Sequence, residues 1–262
     1  MKKMIALLAL FFVGFAHGQN PPSISDIQIE LGTDLALPLG NSIKAELFTN
    51  KPTSLVTTLR KFKGIKLIET SKNSVTLQIP QRYAFDGKPT NDSTSDTFVI
   101  DYKEDSVKAF VSNFTEQHSD KNDENPRLPA LERFVSTYIN DPTYIHGFKI
   151  ASVIANQRSG DCTEYAVLLT ALARAFDIPA KVVLGTVIVE QHGKINAYGH
   201  AWVEAFKEGA WHILDAALYS EIGIKRFYIP AAHIQNEGPG YAFGLVGAVA
   251  LLPQKISLQR AE

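Results

Sequence analysis

The chain has 262 residues, with 26 basic and 27 acidic side chains and a formal net charge of −1. So even a balance gives no electrostatic case for nucleic acid, whose phosphates are met by an excess of Lys and Arg. A single cysteine excludes an intrachain disulfide framework.

In chain order, the first element reads as an export signal over residues 1–18. Lys2 and Lys3 give it a charged start, Met4 to Phe15 is almost unbroken apolar sequence, and Ala16-His17-Gly18 offers a small-x-small cleavage site. A run of about a dozen apolar residues is too short to span a bilayer, which takes roughly 20. The expectation is therefore a periplasmic or secreted protein with no stable membrane insertion. No cysteine stands at the cut site to carry a lipid. Removal of the signal leaves 244 residues with 24 basic and 27 acidic side chains, enough for one large or two ordinary domains. Exported proteins usually pair their cysteines, so a lone thiol there calls for a use; the plain alternative is a buried cysteine acting as a small hydrophobe.

Residues 19–116 read as a small β-rich N-terminal domain. Ile27, Ile29 and Leu31 alternate, as do Ile43, Ala45 and Leu47, and Val75, Leu77 and Ile79. That period of two, bounded by Gly, Pro, Asn and Ser, marks half-buried strands. Asp86 to Asp96 is polar and turn-rich, a loop. Two helical stripes follow: Val107, Phe110, Val111 and Phe114, then Leu131, Phe134, Val135 and Tyr138. The charged, proline-flanked stretch from Gln117 to Pro129 between them marks a domain boundary.

Residues 127–255 read as the second domain. A short helix through Ile150, Val153 and Ile154 ends near Ser159-Gly160, and a buried helix runs from Cys162 to Phe176 before Pro179. Val182 to Glu190 is strand-like, His192-Gly193 is a turn, and Ala201–Phe206 pairs with Trp211–Leu214 around Glu208-Gly209. A helix followed by antiparallel strands is an α+β order, without βαβ alternation. The glycine-rich apolar stretch from Gly238 to Leu252 reads as terminal strands closing this domain's sheet.

The chemistry lies in Cys162, His200 and Asp215. A thiol followed by an imidazole and a carboxylate supplies a nucleophile, a base that returns its proton, and a group that orients the ring. At the first turn of a helix the thiol meets the positive end of the peptide dipoles, which predicts a lowered pKa. The N–H of Cys162, without a helical acceptor, is a candidate oxyanion donor. With a two-residue turn at Glu208-Gly209, Lys207 pairs with Ala210, and the same register sets Trp202 opposite Asp215. His200, Trp202 and Asp215 then share one face, with His200 and Asp215 diagonal neighbours. Trp202 and Trp211 read as packing residues, and Glu204, on the face of His200, as a hydrogen-bonding or rim residue. His118, His146, His192, His212 and His233 show no metal-ligand spacing and read as surface or structural. No metal and no cofactor is expected.

The chain resembles the transglutaminase-like superfamily, in the papain-like fold clan. The matching stretches are Arg158-Ser-Gly-Asp-Cys-Thr-Glu-Tyr-Ala-Val-Leu-Leu, Ile178-Pro-Ala-Lys-Val-Val-Leu-Gly, Gly199-His-Ala-Trp-Val-Glu and Trp211-His-Ile-Leu-Asp, within residues 127–220. It looks most like the exported bacterial members. The resemblance implies a nucleophile at a helix N-terminus packed on an antiparallel sheet, with Cys162 as nucleophile, His200 as general base and acid, and Asp215 as orienting carboxylate. Gln157, five residues before the cysteine, is a candidate oxyanion donor. It implies an acyl-thioester resolved by water or an amine, hence a peptide or amide hydrolase or a transglutaminase-type acyltransferase acting on a peptide or protein. Arylamine N-acetyltransferases share the Cys-His-Asp order, but their acetyl-coenzyme is scarce outside the cytoplasm. NlpC/P60-type wall peptidases usually place a histidine third. The non-enzyme alternative is a catalytically idle binding or scaffolding module of the cell envelope.

Overall fold

The computed structural model describes residues 23–33, 37–118, 126–143, 148–219, 223–234, 238 and 240–260. The expected export signal over residues 1–18 and His146 lie outside the described residues.

A five-stranded sheet is built from β1 (Glu30–Thr33), β2 (Ser42–Phe48), β4 (Lys66–Thr70), β5 (Ser74–Pro80) and β13 (Lys255–Arg260), in the order β1-β13-β2-β5-β4. The alternation in the sequence becomes one apolar face: Ile43 pairs with Ile79, Ala45 with Leu77 and Leu47 with Val75, and all six are buried. The last strand of the chain, β13, inserts between β1 and β2 and buries Ile256 and Leu258 on the same side. Two short strands, β3 (Phe62–Lys63) and β6 (Ala84–Phe85), pair with one another.

A helix that alternation did not announce, α1 (Pro52–Leu59), buries Leu55, Val56 and Leu59. Proline in its first turn supplies a preset φ and forgoes an amide that would have no partner there. The two stripe helices are α2 (Asp105–His118) and α3 (Leu128–Tyr138), with the Phe110 and Phe114 rings centred 5.3 and 5.2 Å from that of Phe134. After β7 (Asp141–Pro142) come α4 (Ala151–Gln157) and β8 (Ser159–Gly160), which pairs with β7 in parallel.

Helix α5 (Cys162–Ala175) is the axis of the second half. Twelve of its fourteen residues are buried, as expected of a helix enclosed on all sides rather than laid on a surface. It packs on β9 (Ala180–Gln191) and β10 (Lys194–Lys207), with α2, α3 and α4 around it. At its C-terminal end the buried Arg174 guanidinium donates to the carbonyls of Ala180 and Ser95, at 2.8–3.0 Å. The sheet runs β11-β10-β9-β12, with β11 at Ala210–Leu214 and β12 at Lys225–His233. Both tight turns have positive φ at their two central residues, His192-Gly193 (51° and 73°) and Glu208-Gly209 (54° and 81°), the left-handed geometry that matches strand twist. One continuous apolar cluster includes side chains from both sheets and from helices α1 to α5.

The stretch from Gly238 to Leu252 is not strand. It holds a helix, α6 (Tyr241–Val249), and the strand that follows joins the first sheet rather than the second. The apolar residues there do not alternate with polar ones, so the stretch had no period of two to enforce a strand.

Candidate active site

The candidate nucleophile, Cys162, is set by a tight chain reversal. Helix α4 ends at Arg158 in a left-handed conformation (φ 52°), and β8 leads straight into α5. Gly160 is required by space: a Cβ there would lie 2.3 Å from the Glu164 Cβ. Asp161 caps α5, its Oδ1 accepting the N–H of Thr163 (2.9 Å) and the Thr163 hydroxyl (2.8 Å). Glu164 closes the capping box. One of its oxygens accepts the N–H of Asp161 and the other that of Lys149, both at 3.0 Å. Ser23, itself buried, donates its hydroxyl to the Asp161 Oδ2. The cysteine is thus anchored by an acidic cap tied to the N-terminal segment.

That segment also completes the edge of β10. Ile29 donates to Ala197 O and Gly199 to Ile27 O, both at 2.9 Å, so residues 27–29 run alongside 197–199, while β11 takes over from Val203 onward. Between them residues 200–202 have no strand on this edge among the described residues. Here α5 brings up its first turn: the N–H of Ala201 donates to the Cys162 sulfur, and Cys162 is 5% exposed.

His200 and Asp215 meet through the hairpin. Lys207 pairs with Ala210 and Val203 with Leu214, the register the two-residue turn predicts; β11 stops at Leu214, so Asp215 lies just beyond it. His200 Nε2 stands 2.9 Å from Asp215 Oδ2. The carboxylate is further held by the Tyr228 hydroxyl (2.8 Å to Oδ2) and the Leu218 N–H (3.0 Å to Oδ1). With Nε2 donating to Asp215, the neutral ring leaves the lone pair on Nδ1, and that atom is buried without a hydrogen-bond partner. Trp202 stacks 6.5 Å from the imidazole and is 1% exposed, a packing residue as its sequence position suggested.

Electrostatically the site departs from one expectation. Burial, then the charge of Asp161, pushes the Cys162 thiol well above its ordinary value; the Ala201 N–H opposes this, and Asp215 and Glu164 add to it. The Asp161 carboxylate that caps the helix thus brings its own negative charge to the helix end where the thiol sits. Burial alone would raise Asp215, but His200, Tyr228 and the Leu218 N–H hold its carboxyl below the usual range.

Cys162 and His200 line one pocket of about 430 Å3, whose walls include Tyr165, Tyr198, Leu218 and, from the N-terminal turn, Ser25, Asp26 and Gln28. Gln157 is not brought there. It is exposed at the end of α4, its Oε1 accepting from Lys149 Nζ at 2.7 Å. Glu204 is buried rather than at a rim, bonded to His233 (3.0 Å) with Lys181 at 3.5 Å. Sequence reasoning missed Ser23, Tyr228 and the Ala201 amide. The first two reach the site only through tertiary packing, and an amide carries no residue-type signal. Among the described residues no group of three or more His, Cys, Asp or Glu side chains could hold a metal.

Residues 108–216 match the family model described as the transglutaminase-like superfamily. No curated protein matches the chain. Among solved structures, a candidate cysteine protease from Cytophaga hutchinsonii is 13% identical, with 85% of this chain and 82% of that one covered and a TM-score of 0.37. The periplasmic domain of TgpA from Pseudomonas aeruginosa, bound to ethylmercury, is 15% identical, with 76% and 77% covered and a TM-score of 0.38.

Proposed function

Since residues 108–216 match the transglutaminase-like superfamily, we propose that the protein is an exported, cysteine-dependent acyl-transfer enzyme working through Cys162, His200 and Asp215. The observation that carries this reading is the buried His200–Asp215 pair: its Nδ1 has no hydrogen-bond partner, and His200 lines the same pocket as Cys162. A buried ring nitrogen without a partner is costly unless it has a task.

The steps follow from the groups present. His200 Nδ1 takes the thiol proton as Cys162 Sγ attacks a carbonyl carbon of a peptide or amide. The new oxyanion faces the first-turn N–H of Cys162. Collapse breaks the C–N bond, the imidazolium gives its proton to the leaving amine, and a thioester remains on Sγ. Water or a second amine then attacks, losing its proton to His200, and the acid or new amide leaves as the thiol regains its proton. Asp215 keeps the ring in the productive tautomer and stabilises the imidazolium. Because burial and carboxylates disfavour a free thiolate, proton transfer to His200 accompanies attack rather than preceding it. The export-signal pattern in residues 1–18 supports a periplasmic or secreted location.

The test is p-nitrophenyl acetate with and without an added primary amine. The expected result is a nitrophenol burst equal to the enzyme present and acetylation of Cys162 by mass spectrometry, both slowed in His200→Ala. Faster turnover with the amine assigns transfer, and no change assigns hydrolysis. A Cys162 that stays unmodified, or acetylates equally fast in His200→Ala, would leave the idle scaffold as the function.

A further inference from the structure

A second cavity, of about 570 Å3, lies behind the Asp215 carboxylate. Segment 215–219 is the wall between the two spaces: Ala217 and Leu218 line the Cys162 pocket, whereas Asp215 and Tyr219 line the cavity behind. Arg82, Arg127 and Arg226 all line this cavity. Arg82 and Arg127 are exposed, and their guanidinium groups form no hydrogen bond or close ion pair with another described residue. Arg226 is half-buried; its Nη2 donates to the Leu218 carbonyl, and its buried Nε has no partner.

The carboxylates facing these cations are already engaged. Glu132 Oε1 accepts the Asp215 N–H at 2.6 Å, and Asp215 is held by His200 and Tyr228. Lys207 and Glu208, also lining the cavity, offset one another in charge. What remains is a cavity with three guanidinium groups, of which Arg82 and Arg226 feel the Glu132 carboxylate without forming a close ion pair, so their N–H forks stay available. A guanidinium presents a planar fork of donors that matches the paired oxygens of a carboxylate or phosphate.

We propose that this cavity is a binding site for a small oxyanion, a carboxylate- or phosphate-bearing molecule, held by Arg226 with Arg82 and Arg127. The site is separate from the reacting groups yet mechanically linked to them. The residue that Arg226 bonds, Leu218, lines the catalytic pocket and donates its N–H to Asp215.

Isothermal titration calorimetry tests this on the whole chain, with inorganic phosphate in one arm and succinate in the other, sodium chloride holding ionic strength constant. One saturable site is expected, and the tighter arm names the oxyanion class. In the Arg82→Ala/Arg127→Ala double variant, whose changes are at exposed positions and leave the fold intact, binding weakens about tenfold or more, a loss of ~1.4 kcal/mol. Arg226→Lys, which keeps the charge and loses the fork, weakens it similarly. If neither anion binds beyond the chloride-matched control, or the double variant binds as the wild type does, the site does not exist. Binding is read directly, so this outcome is independent of whether Cys162 proves catalytic.

Discussion

Glu164 is fully buried, with its carboxylate bonded to the N–H of Asp161, the residue before Cys162. Burial first, and the neighbouring Asp161 charge second, push its carboxyl up from 4.5 to about 7. An acid whose pKa is higher folded than unfolded holds more protons in the folded state, so stability falls as pH rises through that window. The penalty is absent below 4.5 and complete above about 7. At ~1.4 kcal/mol per pH unit across it, the folded state loses about 3 kcal/mol. Glu164→Gln removes the titration and keeps the size. Its amide cannot accept hydrogen bonds at both ends, so it carries a constant penalty of about 1 kcal/mol that cancels when two pH values are compared. Urea unfolding of both proteins below 4.5 and above 7 gives the difference, with unchanged m-values as the check on two-state behaviour. Wild type should lose about 3 kcal/mol more than the variant across the window. Equal losses would mean that Glu164 titrates as a solvated acid and that the capping box does not carry this strain.

Asp161→Asn keeps a good N-cap and removes the charge that, after burial, most raises the Cys162 thiol, so iodoacetamide alkylation should move to lower pH; an unmoved profile would refute the electrostatic account of the site. Tyr228→Phe deletes the hydroxyl on Asp215 Oδ2, a charge-assisted bond of about 1.5–3 kcal/mol. Asp215 is held below its ordinary 3.8, so its contribution is present above that value and lost as pH falls through the folded pKa. The acid-unfolding midpoint of Tyr228→Phe should therefore rise, and an unchanged midpoint would count against the bond. In Gly199→Ala the new Cβ would lie 2.4 Å from Ile24 O, so the N-terminal turn must shift, at about 1–3 kcal/mol. Limited proteolysis should then cut near residues 23–28 faster than in the wild type; equal protection would mean the turn gives way without cost.

Much of the second half is legible locally. The α5 boundaries follow from Asp161 and Glu164 at one end and Pro179 just beyond the other, because caps and proline act within a few residues. The register of β10 on β11 follows from Glu208-Gly209, because a two-residue turn leaves one alignment open. Helix α1 and helix α6 were missed for a common reason. Pro52–Leu59 is two turns with only three buried side chains, too short to establish a helical period, and Tyr241–Val249 has no polar face to set one off.

Cys162, His200 and Asp215 are candidates that the sequence itself offers, as residue types spaced along one helix and one hairpin whose geometry is local. Only the tertiary structure decided what surrounds them. It brings Ser23 to Asp161 across 138 positions, seats β13 between β1 and β2, and turns Gln157 out to solvent. It also reverses the expected shift of the thiol. Burial and the mutual field of three carboxylates depend on distances through space, and no spacing along a chain records them.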